Sequence, residues 1–402
     1  HFVEFKNNKM RVSVVCTFSF PEGLAASARI ISYMKGLHQH GAKTDVFIYR
    51  PTDLYTNPSS YPAHGTYEGI NYKYPNTRVY SKYKICRFIG RYYYWGVTCY
   101  NIWKENKADK IDFLLISNDF LNVLFLFTLW AKILGIKPVF ITDEYPEPIR
   151  VHLKKDIPNW KKRFYNFILK YEDSFIFMTE KLNVFFNSKL NKPYHILPTI
   201  TDTSRFNVNA DSNIQKKYMC YMGNMELSKD NVDNIIRAFS VIADKYPDID
   251  FYLYGAPSPK DYNIIVSVIE ECNLSDRVFI KGRVSSLEVP VILKSAYLLV
   301  SSQPNSKRAE GGFPTKLGEY MATGVPAILT DVGEITKYVQ DGVHVYIVEP
   351  ENHIAYANKL DFILSNYSEA LSIASTAKEY LLNNFDYKSV SKNLLDFLYS
   401  RL

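Results

Sequence analysis

Residues 310–334, EGGFPTKLGEYMATGVPAILTDVGE, decide the fold. They read as a loop, a short helix, a tight turn and a buried strand. Gly311 and Gly312 let a backbone come close to a ligand. Pro314 suits the first turn of a helix, where its missing N–H costs nothing. Leu317, Tyr320 and Met321 fall at helical spacing and give that helix an apolar side. Gly324 stands where a left-handed C-terminal residue is wanted and Pro326 follows it, so the helix stops there. Residues 325–329 are an apolar run suited to a strand covered on both faces.

A helix N-terminus behind a glycine loop is an anion site, because free N–H groups and the helix dipole point outward. Lys316 puts a full positive charge into the first turn, the wrong end of a helix for a cation, and so implies an anion nearby. Glu319 lies about one turn further in, where its carboxylate suits two hydroxyls of a ribose. The set fits a nucleotide diphosphate carrying a polar group. A capped surface helix with incidental charges is the plainer alternative.

The whole chain, 402 residues, is long enough for two domains with separate cores. With 47% hydrophobic and 22% charged residues it has the composition of a folded globular protein, enriched in Tyr (32) and Phe (25). A net charge of +7 admits an anionic partner, whether nucleotide, membrane surface or nucleic acid. Cys16, Cys86, Cys99, Cys220 and Cys272 show no CxxC and no paired spacing, so a reduced, cytoplasmic protein is expected and a zinc or disulfide framework is not. Residues 1–9 are polar, so no cleavable signal is expected among them.

Strand 11–17, a glycine loop, helix 28–41 and strand 45–49 open a doubly wound α/β domain, whose ligands gather beyond the carboxyl ends of strands. The first loop holds Gly23 and no GxGxxG, which argues against a dinucleotide redox enzyme. Residues 51–77 read as a long loop or short hairpin, and 78–107 as a basic and aromatic surface helix suited to a headgroup layer, or else packed on the sheet with its lysines reaching water. Residues 119–136 are apolar but marginal in length and interrupted by Asn122 and Lys132, so a buried crossover helix is expected rather than a membrane span. Strand 138–142 delivers Asp143 and Glu144 at its carboxyl end, and 151–170 is a second basic amphipathic stretch. A second βα series runs from Lys217, with strands at 217–222, 250–256, 277–284 and 298–303, and amphipathic helices close the chain.

The loop FPEGLAAS, the strand end TDEYP, ILPTITDTSRF, YMGNMELSKDN, RVFIKGRV and GGFPTKLGEYMATGVPAIL stand in the order and spacing of one family. The chain resembles the retaining nucleotide-sugar glycosyltransferases of the GT4 family, the glycosyl transferases group 1. The resemblance implies the GT-B fold: an α/β protein of two Rossmann-like domains facing a cleft, with a C-terminal helix returning to the first domain. Residues 1–205 then form the acceptor domain, 206–380 the donor domain and 381–402 the returning helix.

It also implies roles. Glu319 is similar to the glutamate that holds the donor ribose, and Glu310 to the one that touches the donor sugar, although the family spacing E-x7-E is here one residue longer, as a bulge at the Gly pair would allow. Lys229 resembles the basic residue facing the diphosphate. Asn224 stands after Gly223 where an arginine is usual, leaving Lys316 or Arg283 to supply the charge. Gly23 matches the loop approaching phosphates and acceptor, Arg283 and Val284 the segment beside the base, and residues 311–316 (Gly311, Gly312, Phe313, Pro314, Thr315, Lys316) the wall of the donor site. Asp143 and Glu144 are the candidates for orienting the acceptor hydroxyl or the sugar ring.

The expected activity is metal-independent transfer from a nucleotide diphosphate sugar, with no further cofactor, to a glycan or lipid-linked acceptor. The expected place is the cytoplasm, with a possible anionic membrane surface at the inner face of the plasma membrane, and no nucleic acid partner. A nucleotide-sugar epimerase of the same fold and a non-catalytic subunit of a glycan-assembly complex remain alternatives.

Overall fold

A computed structural model describes residues 9–23, 25–117, 120–147, 149 and 157–402. The chain divides into two compact units, the first built from residues up to 146, 157–198 and 387–402, the second from 199–386. Residues 1–8 and residues 151–156 of the basic stretch 151–170 lie outside the described residues.

The first unit opens on β1 (Arg11–Cys16), α1 (Ala25–Gln39) and β2 (Lys43–Ile48). Residues 51–77 fold as a hairpin of β3 (His64–Tyr67) and β4 (Ile70–Lys73), antiparallel to each other. Then come the long α2 (Lys84–Ala108), β5 (Phe113–Ile116), α3 (Leu121–Ile133), β6 (Lys137–Thr142), α4 (Asn159–Leu169), β7 (Ser174–Phe177), α5 (Glu180–Asn187) and β8 (Tyr194–Ile196). The strands line up as β3-β4-β2-β1-β5-β6-β7-β8. β1 runs parallel to both β2 and β5, so the strand order reverses at its carboxyl end. Such a reversal splays the neighbouring loops and leaves a ligand crevice. All six β1 residues are buried, as a strand covered on both faces must be.

The second unit holds β9 (Lys217–Met222), α6 (Val232–Ile242), β10 (Ile249–Tyr254), α7 (Pro259–Glu271), β11 (Val278–Gly282), α8 (Val289–Ser295) and β12 (Leu298–Val300). It continues with α9 (Lys307–Gly311), α10 (Lys316–Thr323), β13 (Ala327–Thr330), β14 (Tyr346–Val348), α11 (His353–Ser365) and α12 (Tyr367–Asn384). The sheet order is β11-β10-β9-β12-β13-β14 with every pairing parallel, so its switch point lies between β9 and β12. Pro290 starts α8 rather than bending it. Gly324 takes φ 74° and ends α10, as its position in the sequence requires.

The last helix, α13 (Tyr387–Tyr399), belongs to the first unit and packs across α1. Close approach is possible because Gly36 has no side chain: a Cβ there would stand 2.1 Å from Ser391 Oγ and 2.5 Å from the Tyr387 carbonyl. Gln39 Nε2 donates to the Tyr387 hydroxyl at 3.0 Å across the same contact.

Candidate functional site

In the second unit the carboxyl ends of the central strands are lined by backbone. Gly223 N donates to the Tyr254 carbonyl at 3.0 Å, and Gly255 N to the Gly282 carbonyl at 2.8 Å. Gly255 holds φ +144°, and a Cβ there would collide with the Gly223 carbonyl at 1.7 Å. Gly223 is crowded in turn: a Cβ would meet the Tyr221 hydroxyl at 2.5 Å and the Lys316 Cε and Nζ at 2.8 and 3.0 Å. Gly255 admits no side chain against the Gly223 carbonyl, and glycine at 223 lets the loop after β9 lie close beneath the Lys316 side chain.

Lys316 is fixed by two further contacts. Its Nζ donates to Asp230 Oδ1 at 2.5 Å and lies 4.9 Å from the centre of the Tyr221 ring. Asp230 is 2% exposed. The anion that a lysine in the first helical turn implied is therefore supplied by the chain itself. Burial first, and then the Asp230 charge, pushes the Tyr221 hydroxyl well above its ordinary pKa, so it stays protonated, its oxygen accepting from Met225 N at 3.2 Å.

The other residues singled out from the sequence distribute around this point. Lys229 is half-buried on the turn before Asp230, its N donating to the Glu226 carbonyl at 2.8 Å. Asn224 is exposed beside Gly223. Arg283 is exposed and Val284 half-buried, just past the end of β11. Glu319 Oε1 accepts from Arg205 Nη1 at 3.1 Å, while Arg205 Nη2 donates to the Ser286 carbonyl at 3.0 Å.

Glu310 does not lie in a loop. It sits in the five-residue helix α9, capped by Ser306, and its Oε2 accepts from Lys307 Nζ at 2.7 Å. Gly311 ends that helix, which leaves residues 312–315 as the connection to α10. Phe313 is 6% exposed and meets Tyr338 edge-on, ring centres 5.3 Å apart, so its side chain is a core anchor and only its backbone can border a ligand. Pro314 precedes α10 instead of opening it, its carbonyl accepting from Leu317 N at 2.9 Å, and Thr315 caps the helix without a side-chain bond.

In the first unit, Gly23 follows β1 and is exposed. Asp143 follows β6 and accepts from Arg29 Nε at 3.1 Å. Arg29 is 6% exposed and also donates to the carbonyls of Leu197 and Pro198. Burial raises the Asp143 carboxyl above its ordinary value and the neighbouring Glu144 adds to this, while Arg29 pulls it down. Glu144 is half-buried, and its backbone carbonyl accepts from Thr142 Oγ1 at 3.0 Å.

Four side chains escaped the sequence reading: Arg205, Asp230, Arg29 and Arg308, whose Nη1 reaches Glu226 at 2.8 Å and ties α9 to the loop after β9. Among the described residues no three His, Cys, Asp or Glu side chains gather as a metal site. The surface of α2 carries Ile85, Phe88, Ile89, Tyr92 and Tyr93, each more than half exposed. Lys82, Lys84, Arg87 and Arg91 are exposed among them, and residues 78–104 contain no acidic side chain. Among the described residues no helix is long and apolar enough to cross a membrane.

Residues 203–380 match the family model described as glycosyl transferases group 1. Over 194 residues the chain is 24% identical to the poly(ribitol-phosphate) alpha-N-acetylglucosaminyltransferase of Staphylococcus aureus (strain COL), covering 48% of this chain and 37% of that protein. It is 23% identical over 170 residues to the N-acetyl-alpha-D-glucosaminyl L-malate synthase of Bacillus anthracis, 42% of each chain. The chain thus spans less than half the length of these curated relatives. In structure it is similar to sucrose-phosphate synthase from Thermosynechococcus elongatus, with TM-score 0.76, 14% identity and 98% and 99% of the two chains covered. The fold is accordingly GT-B. The match to the group 1 glycosyl transferase model thus falls on the second unit of a chain with the GT-B fold.

Proposed function

We propose that this chain is a retaining glycosyltransferase that moves a sugar from a nucleotide diphosphate sugar to a hydroxyl of a lipid-linked glycan acceptor, in the synthesis of a bacterial surface glycan. The observation that carries the donor half is the Lys316 ammonium laid over Gly223 at the carboxyl end of β9, where the second sheet reverses its order. An ammonium has three N–H groups, and one is directed at Asp230. The others, with Lys229 and the N–H groups opening α10, suit a diphosphate. Anabaena HepE, whose structure contains UDP, is similar to this chain with TM-score 0.70 and 13% identity over 97% of it and 100% of that chain, which supports a nucleotide-linked donor.

Breaking the sugar–phosphate bond puts negative charge on the leaving diphosphate and positive charge on the ring. Cations and backbone N–H groups fixed in advance favour that state over the ground state, so the reaction runs without a metal. The leaving phosphate takes the acceptor proton as the acceptor attacks the same face, which retains configuration. Asp143 and Glu144 orient the acceptor hydroxyl or the ring, and Glu319 holds the ribose. The basic and aromatic α2 rests on an anionic membrane at the inner face of the plasma membrane, which brings the enzyme to a lipid-linked acceptor.

The deciding experiment incubates the purified chain with UDP-, GDP- and ADP-sugars and follows nucleoside diphosphate release and the anomeric configuration of the product. Release of one diphosphate with retained configuration is expected. An inverted product, or binding without turnover for every donor in the presence of acceptor lipid extract, defeats the proposal.

A further inference from the structure

Arg205 is not used by the donor-site reading, yet its surroundings are built. It stands on the 3-10 turn Thr203–Phe206, which Asp202 caps through Ser204 N at 3.1 Å and Phe206 anchors in the core at 3% exposure. Lys294 Nζ holds the same segment through the carbonyls of Phe206 and Val208, at 3.2 and 2.5 Å. From this base the guanidinium sends Nη1 to Glu319 Oε1 and Nη2 to the Ser286 carbonyl, at 3.1 and 3.0 Å. The two acceptors sit on different elements, α10 and the loop after β11, and that loop also carries Arg283 and Val284.

The Arg205 and Glu319 side chains are 28% and 31% exposed, open enough for a ligand to reach. A half-open pair of this kind adds little to fold stability, whereas a planar fork fixes direction. Each carboxylate oxygen has two lone pairs. Among the described residues Glu319 Oε2 receives no hydrogen bond, and Oε1 keeps one lone pair beyond the bond from Arg205.

We propose that Arg205 is a positioning residue for the donor's nucleoside. It keeps Glu319 turned so that Oε2 and the remaining lone pair of Oε1 accept the two ribose hydroxyls. It also sets the distance from that carboxylate to the backbone beside the base. The inference rests on Glu319 being the ribose carboxylate, and it confines the effect of Arg205 to the ribose, leaving the diphosphate untouched.

The test titrates the purified full chain with UDP, GDP and ADP, then compares the tightest of the three with its 2′,3′-dideoxy counterpart and with inorganic pyrophosphate. The wild type is expected to favour the ribose form by about tenfold or more, the scale of lost bonds to a charged acceptor. Glu319→Gln brings that ratio close to one. Arg205→Met lowers it several-fold, Arg205→Lys restores part of it, and the double variant Arg205→Met/Glu319→Gln loses nothing beyond Glu319→Gln. Pyrophosphate affinity stays at the wild-type level throughout.

If Glu319→Gln collapses the ratio while Arg205→Met keeps it, Arg205 has no positioning role and the donor-site reading survives. Tighter nucleotide binding in Arg205→Met, or an equal loss of pyrophosphate affinity, also overturns the proposal. If Glu319→Gln keeps the ratio, or none of the three nucleotides binds, the ribose assignment itself fails and takes this inference with it.

Discussion

A buried carboxylate needs a partner, and Asp230 has Lys316 at 2.5 Å. Because Asp230 is 2% exposed and Lys316 16%, removing the ammonium strands a charge in the interior. Such losses cost about 3–5 kcal/mol. Lys316→Met is therefore expected to destabilise the chain by about 3 kcal/mol in chemical denaturation and to weaken nucleotide diphosphate binding. Adding Asp230→Asn removes the stranded charge and recovers most of the stability, but the affinity stays low. Recovery of both in the double variant would reduce Lys316 to a structural lysine. Gly223 entered through the family resemblance, while Lys316 and Glu319 were legible as candidates because their cues are local, a first helical turn and one turn further. Arg205, Arg29, Arg308 and Asp230 were not, since their partners lie 114, 114, 82 and 86 positions away and no spacing announces them.

Elements show the same division between local and distant causes. Apolar runs and glycine stops marked the strands and most helices to within a few residues. The five-residue α9 escaped because it is too short for a hydrophobic period, although Ser306 accepting from Ala309 N is an ordinary N-cap. Long α2 was visible, yet its solvent face was not, because an aromatic helix packed on a sheet has the same composition. In the structure Phe88 and Ile89 are exposed while Trp95, Cys99 and Ile102 are buried, so the helix packs along one part and faces solvent along another. Phe88→Glu with Ile89→Glu is expected to abolish flotation with anionic vesicles while shifting stability by less than about 0.5 kcal/mol, as surface changes do. Added salt should weaken the wild-type interaction. Flotation that survives both charges would place any lipid contact elsewhere. On the loop after β9, Gly223→Ala forces a methyl against Lys316 and Tyr221. It is expected to cost about 1–3 kcal/mol and to lower nucleotide affinity with it.

For the molecule as a whole, the βα alternation of both units is legible in the sequence, whereas the last helix belonging to the first unit was an expectation of the family resemblance alone. What the pattern does not show is where an acidic side chain is buried with an oxygen left unsatisfied. Glu172 is such a place: 1% exposed, with Oε1 accepting from Thr128 Oγ1 at 2.5 Å and Oε2 without a partner. Burial lifts its carboxyl from the ordinary 4.5 to about 8, with Asp173 adding to the rise and Thr128, Lys132 and Lys192 opposing it. Below pH 4.5 the folded and unfolded chains both hold this proton, so its contribution to stability is fully present there. Between 4.5 and about 8 the unfolded chain has lost the proton and the folded chain keeps it. Stability then falls with rising pH by up to about 1.4 kcal/mol per unit, and the fall ends once the folded carboxyl also ionises. Glu172→Gln removes the titration while keeping a side chain that can accept from Thr128. Denaturation midpoints measured from pH 5 to 9 should decline in the wild type by more than in this variant, and the two curves should diverge most at the alkaline end. Parallel curves would mean that Glu172 is ionised in the folded chain at neutral pH, held by Lys132 and Lys192 in spite of its burial.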